Sequence, residues 1–457
     1  MSKSVPIHGQ WSSPMVFVLA SIGSAVGLGN LWKFPYLAGE NGGGAFVLIY
    51  LLCIAVVGIP IMVSEVLIGR RGRLSPINSL ALLAKQAGGS RLWRLVGGSG
   101  IAAGLIILSF YSVMGGWALA YVVRTASGLF SGVTAKGALS IFNYLVTDPE
   151  RLLAWHTLFM LVTTLVVARG VRSGLEQAVR VLVPALFILL LVVVSYNLNS
   201  GYFMQSLHFL FFPDFQDITA GGVLQAMGHA FFTLSLGVGA MMVYGSYLPS
   251  GASIPRLVLA VTLVDTLIAM LAGLAIFPLV FANGLEPTSG PGLIFTTLPI
   301  AFGHLPGGAY VGTLFFLLLV LVALTSAISL MEPMVAWLVE SLKLPRSRSA
   351  ALSGFLVWLL GLVSLMSFSR WAFEFQFAGQ LKHDGWFDIL DILTSAIMLP
   401  AGGLAVVIFV GWVMPKQSLI EELGGRAGIT FRIWYVTIRY LTPAAVSAVF
   451  LYMMGVI

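Results

Sequence analysis

Charged side chains are scarce in this chain, because Asp, Glu, Lys and Arg make up only 9% of its 457 residues. A soluble globular domain carries about 25%, so this composition cannot supply a surface that faces water. Hydrophobic residues account for 58% of the chain, and the mean hydropathy is +0.98. The composition excludes a water-soluble protein and predicts an integral membrane protein that is surrounded by the lipid bilayer.

Several other classes of protein are excluded by what the sequence does not contain. The single cysteine, Cys53, rules out an intramolecular disulfide framework and a cysteine-based metal cluster. The formal net charge is +7, but no long basic run accompanies it, so we expect no nucleic-acid partner. No HExxH motif, GxSxG-type nucleophile or paired catalytic dyad lies in an apolar segment, so we expect no enzyme. Nothing in the sequence indicates an organic cofactor or an obligatory protein partner.

Apolar segments follow one another along the whole chain. A spanning helix needs about 20 mainly apolar residues. Eleven segments meet this requirement, at roughly 13–38, 44–69, 93–126, 152–170, 176–198, 222–248, 254–283, 309–341, 348–368, 385–413 and 429–455. We therefore expect residues 1–457 to form a single, all-α transmembrane domain.

The basic residues predict the orientation of this domain. If the N-terminus is cytoplasmic and the spans alternate in direction, 18 of the 24 Lys and Arg residues lie on the cytoplasmic side. Basic residues are enriched in cytoplasmic loops of membrane proteins, so this distribution supports a cytoplasmic N-terminus. Eleven spans then place the C-terminus outside.

Two of the eleven segments carry glycines at their centres. The first contains Gly23, Gly27 and Gly29, and the sixth contains Gly237 and Gly239. An interrupted helix frees backbone groups that find no partner in lipid, so it is tolerated where the backbone lines a cavity or binds something. Either interruption alone is better explained by close helix packing. The pair lies five spans apart, however, which favours two repeats with a transport site between them.

Six stretches of the chain carry a likeness to a known family. They are WSSPMVFVLASIGSAVGLGNLWKFPYLAGENGGGAFVLIYLLCIAVVGIP (11–60), FYSVMGGW (110–117), AFFTLSLGVGA (230–240), DTLIAMLAGLAIFP (265–278), ALTSAISLMEP (323–333) and FDILDILTSAIMLP (387–400). In these stretches the chain resembles the neurotransmitter:sodium symporter family, in its bacterial amino-acid branch. The resemblance implies residence in the bacterial cytoplasmic (inner) membrane.

The resemblance also implies a fold. It is an inverted 5+5 helix repeat (the LeuT-type fold), in which helices 1 and 6 are unwound in the middle of the membrane. Repeat one would cover about 11–200 and repeat two about 220–415. One additional C-terminal helix, at about 429–455, completes the eleven spans.

The function implied by the resemblance is sodium-coupled import of a neutral L-amino acid by alternating access. The residues implied to bind this substrate are Ala25, Leu28, Gly29, Ile107, Tyr111, Phe232, Thr233, Ser235, Val238, Ser326 and Leu330. The implied pocket is apolar and uncharged, and Val238 is small, which favours a bulky hydrophobic or aromatic side chain. On its sequence position alone, Tyr111 could equally be an ordinary buried tyrosine that is bonded to a carbonyl.

Two sodium sites are implied by the same resemblance. The first would use Ala25, Asn30, Thr233 and Asp265, and the second Gly23, Val26, Val322, Thr325 and Ser326. On the residues alone, adjacent Thr and Ser more often bond to the preceding turn of their own helix. A carboxylate costs free energy when it lies inside a membrane span, so such a residue is expected to have a function. Since chloride-dependent relatives have a neutral residue at the position of Asp265, we expect transport that is independent of chloride.

Ionisable residues are also predicted to gate the site. On the outer side, the resemblance pairs Lys33 with an acid on span ten, and the alignment favours Asp391 over Asp388. On the inner side, Glu340 matches an acidic gate position, and His8 stands where an Arg is usual. Histidine side chains change charge near neutral pH, so we expect the inner gate to weaken as cytoplasmic pH rises.

Three further ionisable residues lie within the apolar segments. Glu65 and Glu332 are more simply interpreted as structural or network residues than as ligands, and Glu332 precedes a proline that frees backbone groups. His229 replaces a glutamine that is common in the family and could add pH sensitivity near the outer gate.

Two rival functions stay open on the sequence. A membrane sensor with the same fold would bind an amino acid and sodium without flux. An ion channel would carry current without substrate. Accumulation of an amino acid against its gradient would distinguish a transporter from both.

Overall fold

The computed structural model of the chain describes residues 8–216, 218–284, 292–378 and 380–456. Helices account for nearly all of the regular structure in these ranges. The first nine are α1 (Pro14–Ala25), α2 (Gly29–Glu40), α3 (Gly44–Gly72), α4 (Pro76–Gln86), α5 (Arg91–Ala126), α6 (Ala135–Val146), α7 (Pro149–Ala168), α8 (Val171–Asn197) and α9 (Phe203–Phe211). The other helices are α10 (Ala220–Thr233), α11 (Ala240–Ser246), α12 (Ile254–Ala282), α13 (Ile294–His304), α14 (Gly308–Ser341), α15 (Arg346–Ser367), α16 (Trp386–Val413), α17 (Lys416–Glu422) and α18 (Ile429–Met453). Two short strands, β1 (Phe375–Phe377) and β2 (Gln380–Lys382), form an antiparallel hairpin between α15 and α16.

The described residues contain nine helices that are long and apolar enough to cross a membrane. The bent pair of α1 and α2 makes a tenth if it counts as one span, because its two axes differ by 52° across a break of three residues. The chain is thus a multi-pass membrane protein, as its composition predicts. The remaining predicted span, 222–248, corresponds to α10 and α11, each of which is too short to cross alone.

Residues 234–239, which separate α10 from α11, adopt backbone conformations that end a right-handed helix. Ser235, Gly237 and Gly239 have φ angles of 51°, 83° and 80°, in the left-handed region that favours glycine. At Gly237 close packing also requires glycine, because an added Cβ would lie 2.7 Å from the carbonyl oxygen of Leu399. The two glycines of this break therefore have both a conformational and a steric reason, since an added Cβ at Gly239 would lie 2.8 Å from Pro76.

The long helices differ in how deeply they are buried. In α14 and α5, 83% and 78% of the apolar window is buried, whereas in α18 only 22% is. The first two pack against each other at the centre of the bundle, and α18 packs at its edge against α16 and α10. Near the centre, α1 packs against α8, α12 and α14. The two interrupted helices thus meet among the most buried helices of the fold.

Candidate functional site

A cavity of about 460 Å³, including its opening, lies where the two breaks meet. All eleven residues that the resemblance implies for the substrate line it: Ala25, Leu28, Gly29, Ile107, Tyr111, Phe232, Thr233, Ser235, Val238, Ser326 and Leu330. Ser24, Gly27, Asn30 and Leu399 complete the lining. The structure therefore brings the predicted substrate residues together, and their binding role stays a prediction.

Polar groups in this cavity come from the ends of the broken helices. The backbone N–H of Leu28, just before α2, donates to the hydroxyl of Tyr111 at 3.1 Å. The hydroxyl of Ser235, in the second break, donates to the carbonyl of Ser24 at 2.8 Å. The N-terminal end of a helix carries partial positive charge. Tyr111 and the start of α2 can thus present hydrogen-bond donors to an anionic group.

Three polar side chains from different helices converge beside the cavity. The amide of Asn30 donates to the carboxylate of Asp265 at 2.9 Å. The hydroxyl of Thr233 lies 3.2 Å from Asn30 Oδ1 and 3.3 Å from Asp265 Oδ2. All three residues are buried, and no Lys, Arg or His of the described ranges forms a salt bridge with Asp265. An uncompensated carboxylate with amide and hydroxyl oxygens around it is a suitable site for a hard cation.

The second group of predicted sodium ligands lies where α1 ends against α14. The hydroxyl of Ser326 is 3.4 Å from the carbonyl oxygen of Gly23 and 3.2 Å from that of Val26. The hydroxyl of Thr325 donates to the carbonyl of Val322 at 3.0 Å, in its own preceding turn. All five predicted residues are therefore close together, although Thr325 makes the local bond that is usual for its residue type.

Glu65 stabilises the break between α10 and α11. Its carboxylate accepts a hydrogen bond from the backbone N–H of Gly237 at 2.7 Å and is fully buried. A buried N–H group that lacks a helical partner would otherwise be costly. The structure thus gives Glu65 a structural bond, in line with the interpretation from its sequence position.

Glu332 forms a buried ion pair that the sequence analysis missed. Its two carboxylate oxygens accept from Nη1 and Nη2 of Arg346 at 2.9 Å and 2.5 Å. The hydroxyl of Tyr247 donates to the same carboxylate at 2.6 Å. Arg346 is the first residue of α15, directly after Pro345. The only indication of this ion pair in the sequence is the position of Arg346 at a helix start, 14 residues after Glu332.

His8 and Glu340, which are predicted to form the inner gate, are in contact, and their gate role stays a prediction. His8 Nε2 lies 2.8 Å from Glu340 Oε1, and the two side chains are only 3% and 2% exposed. The Glu340 carboxylate also accepts from the N–H and hydroxyl of Ser75, at 2.7 Å and 2.6 Å, and from the amide of Asn78 at 2.7 Å. The indole of Trp11 donates to the carbonyl of Tyr244 at 3.1 Å. The N-terminal segment is therefore bound at this end of the bundle.

The outer gate pair is not formed in this conformation. No salt bridge within the described ranges joins Lys33 to Asp391 or Asp388; the Lys33 ammonium instead lies 5.3 Å from the centre of the Phe232 ring. Asp391 accepts from the hydroxyl of Ser395 at 2.8 Å. The gate role of Lys33 and Asp391 stays a prediction.

Two other titratable residues lie near this outer end. His229 is buried between the rings of Phe34 and Tyr50, whose centres are 5.9 Å and 5.4 Å away. Asp384 lies just before α16, and burial and the charge of Asp388 raise the pKa of its carboxyl group. The backbone N–H of Asp384 donates to Asp388 at 2.8 Å.

Comparison with known proteins identifies the family. A model of the sodium:neurotransmitter symporter family matches residues 8–131 and 145–457. The uncharacterized sodium-dependent transporter YhdH of Bacillus subtilis (strain 168) is 39% identical over 460 residues, which is all of both chains. An uncharacterized sodium-dependent transporter of Haemophilus influenzae is 33% identical, over 96% of this chain and 97% of its own. The crystal structure of MhsT in complex with L-phenylalanine matches with a TM-score of 0.88 and 39% identity, over 97% of this chain and 99% of that one. The chain belongs to the sodium:neurotransmitter symporter family.

Proposed function

We propose that this chain is a sodium-coupled symporter that imports a bulky hydrophobic or aromatic L-amino acid by alternating access. One observation carries the proposal: Asn30 and Thr233 line the cavity and also contact the buried carboxylate of Asp265. A sodium ion bound to these oxygens and to the Ala25 carbonyl would lie beside the carboxylate of the substrate. Each ligand would then favour binding of the other, which is the physical basis of symport.

The groups that line the cavity match the three parts of such a substrate. Its carboxylate would bind to the Tyr111 hydroxyl and to the N–H groups of Leu28 and Gly29. Its amine would face the hydroxyl of Ser235 and the carbonyls at the ends of α1 and α10. Its side chain would contact the apolar wall that Ile107, Val238 and Leu330 form. The phenylalanine in the crystal structure of MhsT supports a hydrophobic amino acid.

We place a second sodium ion at the end of α1. A helix leaves its last carbonyls without backbone partners, and those of Gly23 and Val26 lie beside the Ser326 hydroxyl. The hydroxyl of Thr325 and the carbonyl of Val322 would complete the oxygen ligands. Ser326 also lines the cavity, but the ion itself would not contact the substrate in our proposal, so it would stabilise the broken helix rather than the amino acid.

The proposed architecture has eleven spans in an inverted 5+5 repeat. The pair α1 and α2 would form the first span and the pair α10 and α11 the sixth, both unwound within the membrane. The positive charges favour a cytoplasmic N-terminus and an external C-terminus, in the cytoplasmic membrane of a bacterium. The His8–Glu340 contact would close the inner side, and pairing of Lys33 with Asp391 would close the outer side in another conformation.

Uptake into proteoliposomes tests this proposal. Labelled phenylalanine, tryptophan and leucine would be offered with an inward sodium gradient and with potassium in place of sodium. Accumulation that requires sodium, and that is lost in Asp265→Ala, supports the symporter. Saturable sodium-dependent binding without accumulation would instead identify a sensor. Current without substrate would identify a channel.

A further inference from the structure

A second cavity adjoins the candidate substrate cavity. It lies between α2, α3, α10, α16 and α18, and its volume of about 400 Å³ includes the space at its opening. Its walls include Val57, Phe231, Val446, Val449 and Met453. Phe232 and Leu399 line both cavities. These two residues therefore form the partition between the two spaces.

Leu399 is the part of the partition that a single substitution can remove without a change in the backbone. Its backbone is fixed, because its carbonyl oxygen packs directly against Gly237 and Pro400 follows it in α16. The Leu399 side chain is buried at the junction of the two cavities. Since Leu399 separates the two spaces, a smaller side chain at this position would connect them.

The chemistry of the second cavity suits the far end of an uncharged side chain. Aliphatic and aromatic groups form most of its wall, and Lys33 is the charged residue among those described at its rim. An apolar group that enters gains from leaving water. A cationic group would be repelled by the Lys33 ammonium and would find no carboxylate in the described wall.

We infer that the second cavity is a subsite for the end of a long, uncharged substrate side chain, and that Leu399 is the specificity-determining residue that closes it. The inference rests on the proposed amino-acid transport. It predicts that the wild-type protein excludes side chains that are much longer than that of phenylalanine. It also assigns a role in substrate selection to α18, which supplies Val446, Val449 and Met453.

The test compares two amino acids in one assay. Sodium-dependent uptake of labelled phenylalanine is inhibited with unlabelled phenylalanine or with 4-phenyl-L-phenylalanine, which carries one more ring. We expect Leu399→Ala to improve the potency of the longer compound, relative to phenylalanine, by at least about tenfold, since one methylene in a pocket already discriminates by about tenfold or more. Leu404→Ala is the matched control, because Leu404 lies in the same helix and lines neither cavity.

A second variant locates the added ring. Adding Val449→Phe to Leu399→Ala fills the second cavity from α18, so the gain should disappear while phenylalanine still competes. If the gain persists, the ring lies elsewhere and the subsite is refuted. If Leu399→Ala produces no gain although it takes up phenylalanine with sodium, the role of Leu399 is refuted. If the wild-type protein takes up no amino acid with sodium, the proposed function itself has failed, and the two failures are thus distinguishable.

Discussion

Replacement of Arg346 by methionine should destabilise the protein through the carboxylate that it leaves behind. Glu332 is fully buried, with its side chain 0% exposed, and Arg346 supplies two of its hydrogen bonds. Removal of one partner from a buried ion pair costs about 3–5 kcal/mol, because the other charge stays desolvated without compensation. In Arg346→Met, the Tyr247 hydroxyl would be the one hydrogen-bond donor that remains to the carboxylate among the described residues.

The size of the effect can be expressed as a change in melting temperature. The entropy of unfolding is about 2.1 cal/mol/K per residue, which amounts to roughly 1 kcal/mol/K for a chain of this length. The loss then corresponds to about 3–5 °C in Tm. Thermal denaturation of the detergent-solubilised protein, followed by size-exclusion chromatography with fluorescence detection, measures it.

A double variant separates the orphaned charge from the loss of packing. In Arg346→Met combined with Glu332→Gln, no charge remains buried, so most of the lost Tm should return. A double variant that is as unstable as Arg346→Met would refute the reasoning, because packing alone would then account for the loss. A single variant with unchanged Tm would show that the pair contributes nothing to stability.

Three further predictions concern the site and its gates. Asp265→Asn keeps a side chain of the same shape but removes its charge, and a hydrogen bond to a charged group contributes about 1.5–3 kcal/mol. The sodium concentration for half-maximal uptake should therefore rise at least about tenfold. Replacement of chloride by gluconate should leave wild-type uptake unchanged, and a chloride requirement would contradict the role of this carboxylate. Gly237→Ala should abolish uptake, since the left-handed conformation costs an alanine about 1–2 kcal/mol and the added Cβ would meet the carbonyl of Leu399. Gly251→Ala is the control and should leave uptake unchanged, because no atom lies within 4 Å of its new Cβ. An arginine stays charged at every physiological pH and is longer than histidine, so His8→Arg should hold Glu340 more firmly than His8 does and slow uptake; an unchanged uptake rate would argue against the gate.

The sequence was sufficient to predict the parts of the fold that local composition determines. The long spans follow from continuous apolar runs, and the second interruption follows from glycines such as Gly237, whose backbone freedom is a property of the residue itself. The lining of the cavity was implied by family resemblance, because its residues lie in long, characteristic stretches. These predictions require little knowledge of contacts between residues that are distant in the sequence.

Other features depend on how one helix packs against another. The apolar pattern of a single segment carries no information about that packing. Arg346 reaches Glu332 from the start of the next helix, and nothing in either segment specifies that contact. Leu399 faces the cavity only because α16 approaches the break at Gly237. Lys33 contacts the Phe232 ring rather than Asp391 because the position of a flexible ammonium depends on the conformation of the whole outer end.

The break between α1 and α2 has a consequence for leakage of ions. A continuous helix is stiff, so tilting one end would swing the other and could open both faces of the membrane together. Residues 26–28 interrupt the helical hydrogen bonds, and the two axes already diverge by 52°. We expect each half to pivot independently, so that the inner half can open while the outer half stays shut. In the proposed symport, tight coupling of sodium to substrate would then depend on this mechanical independence as much as on the binding sites.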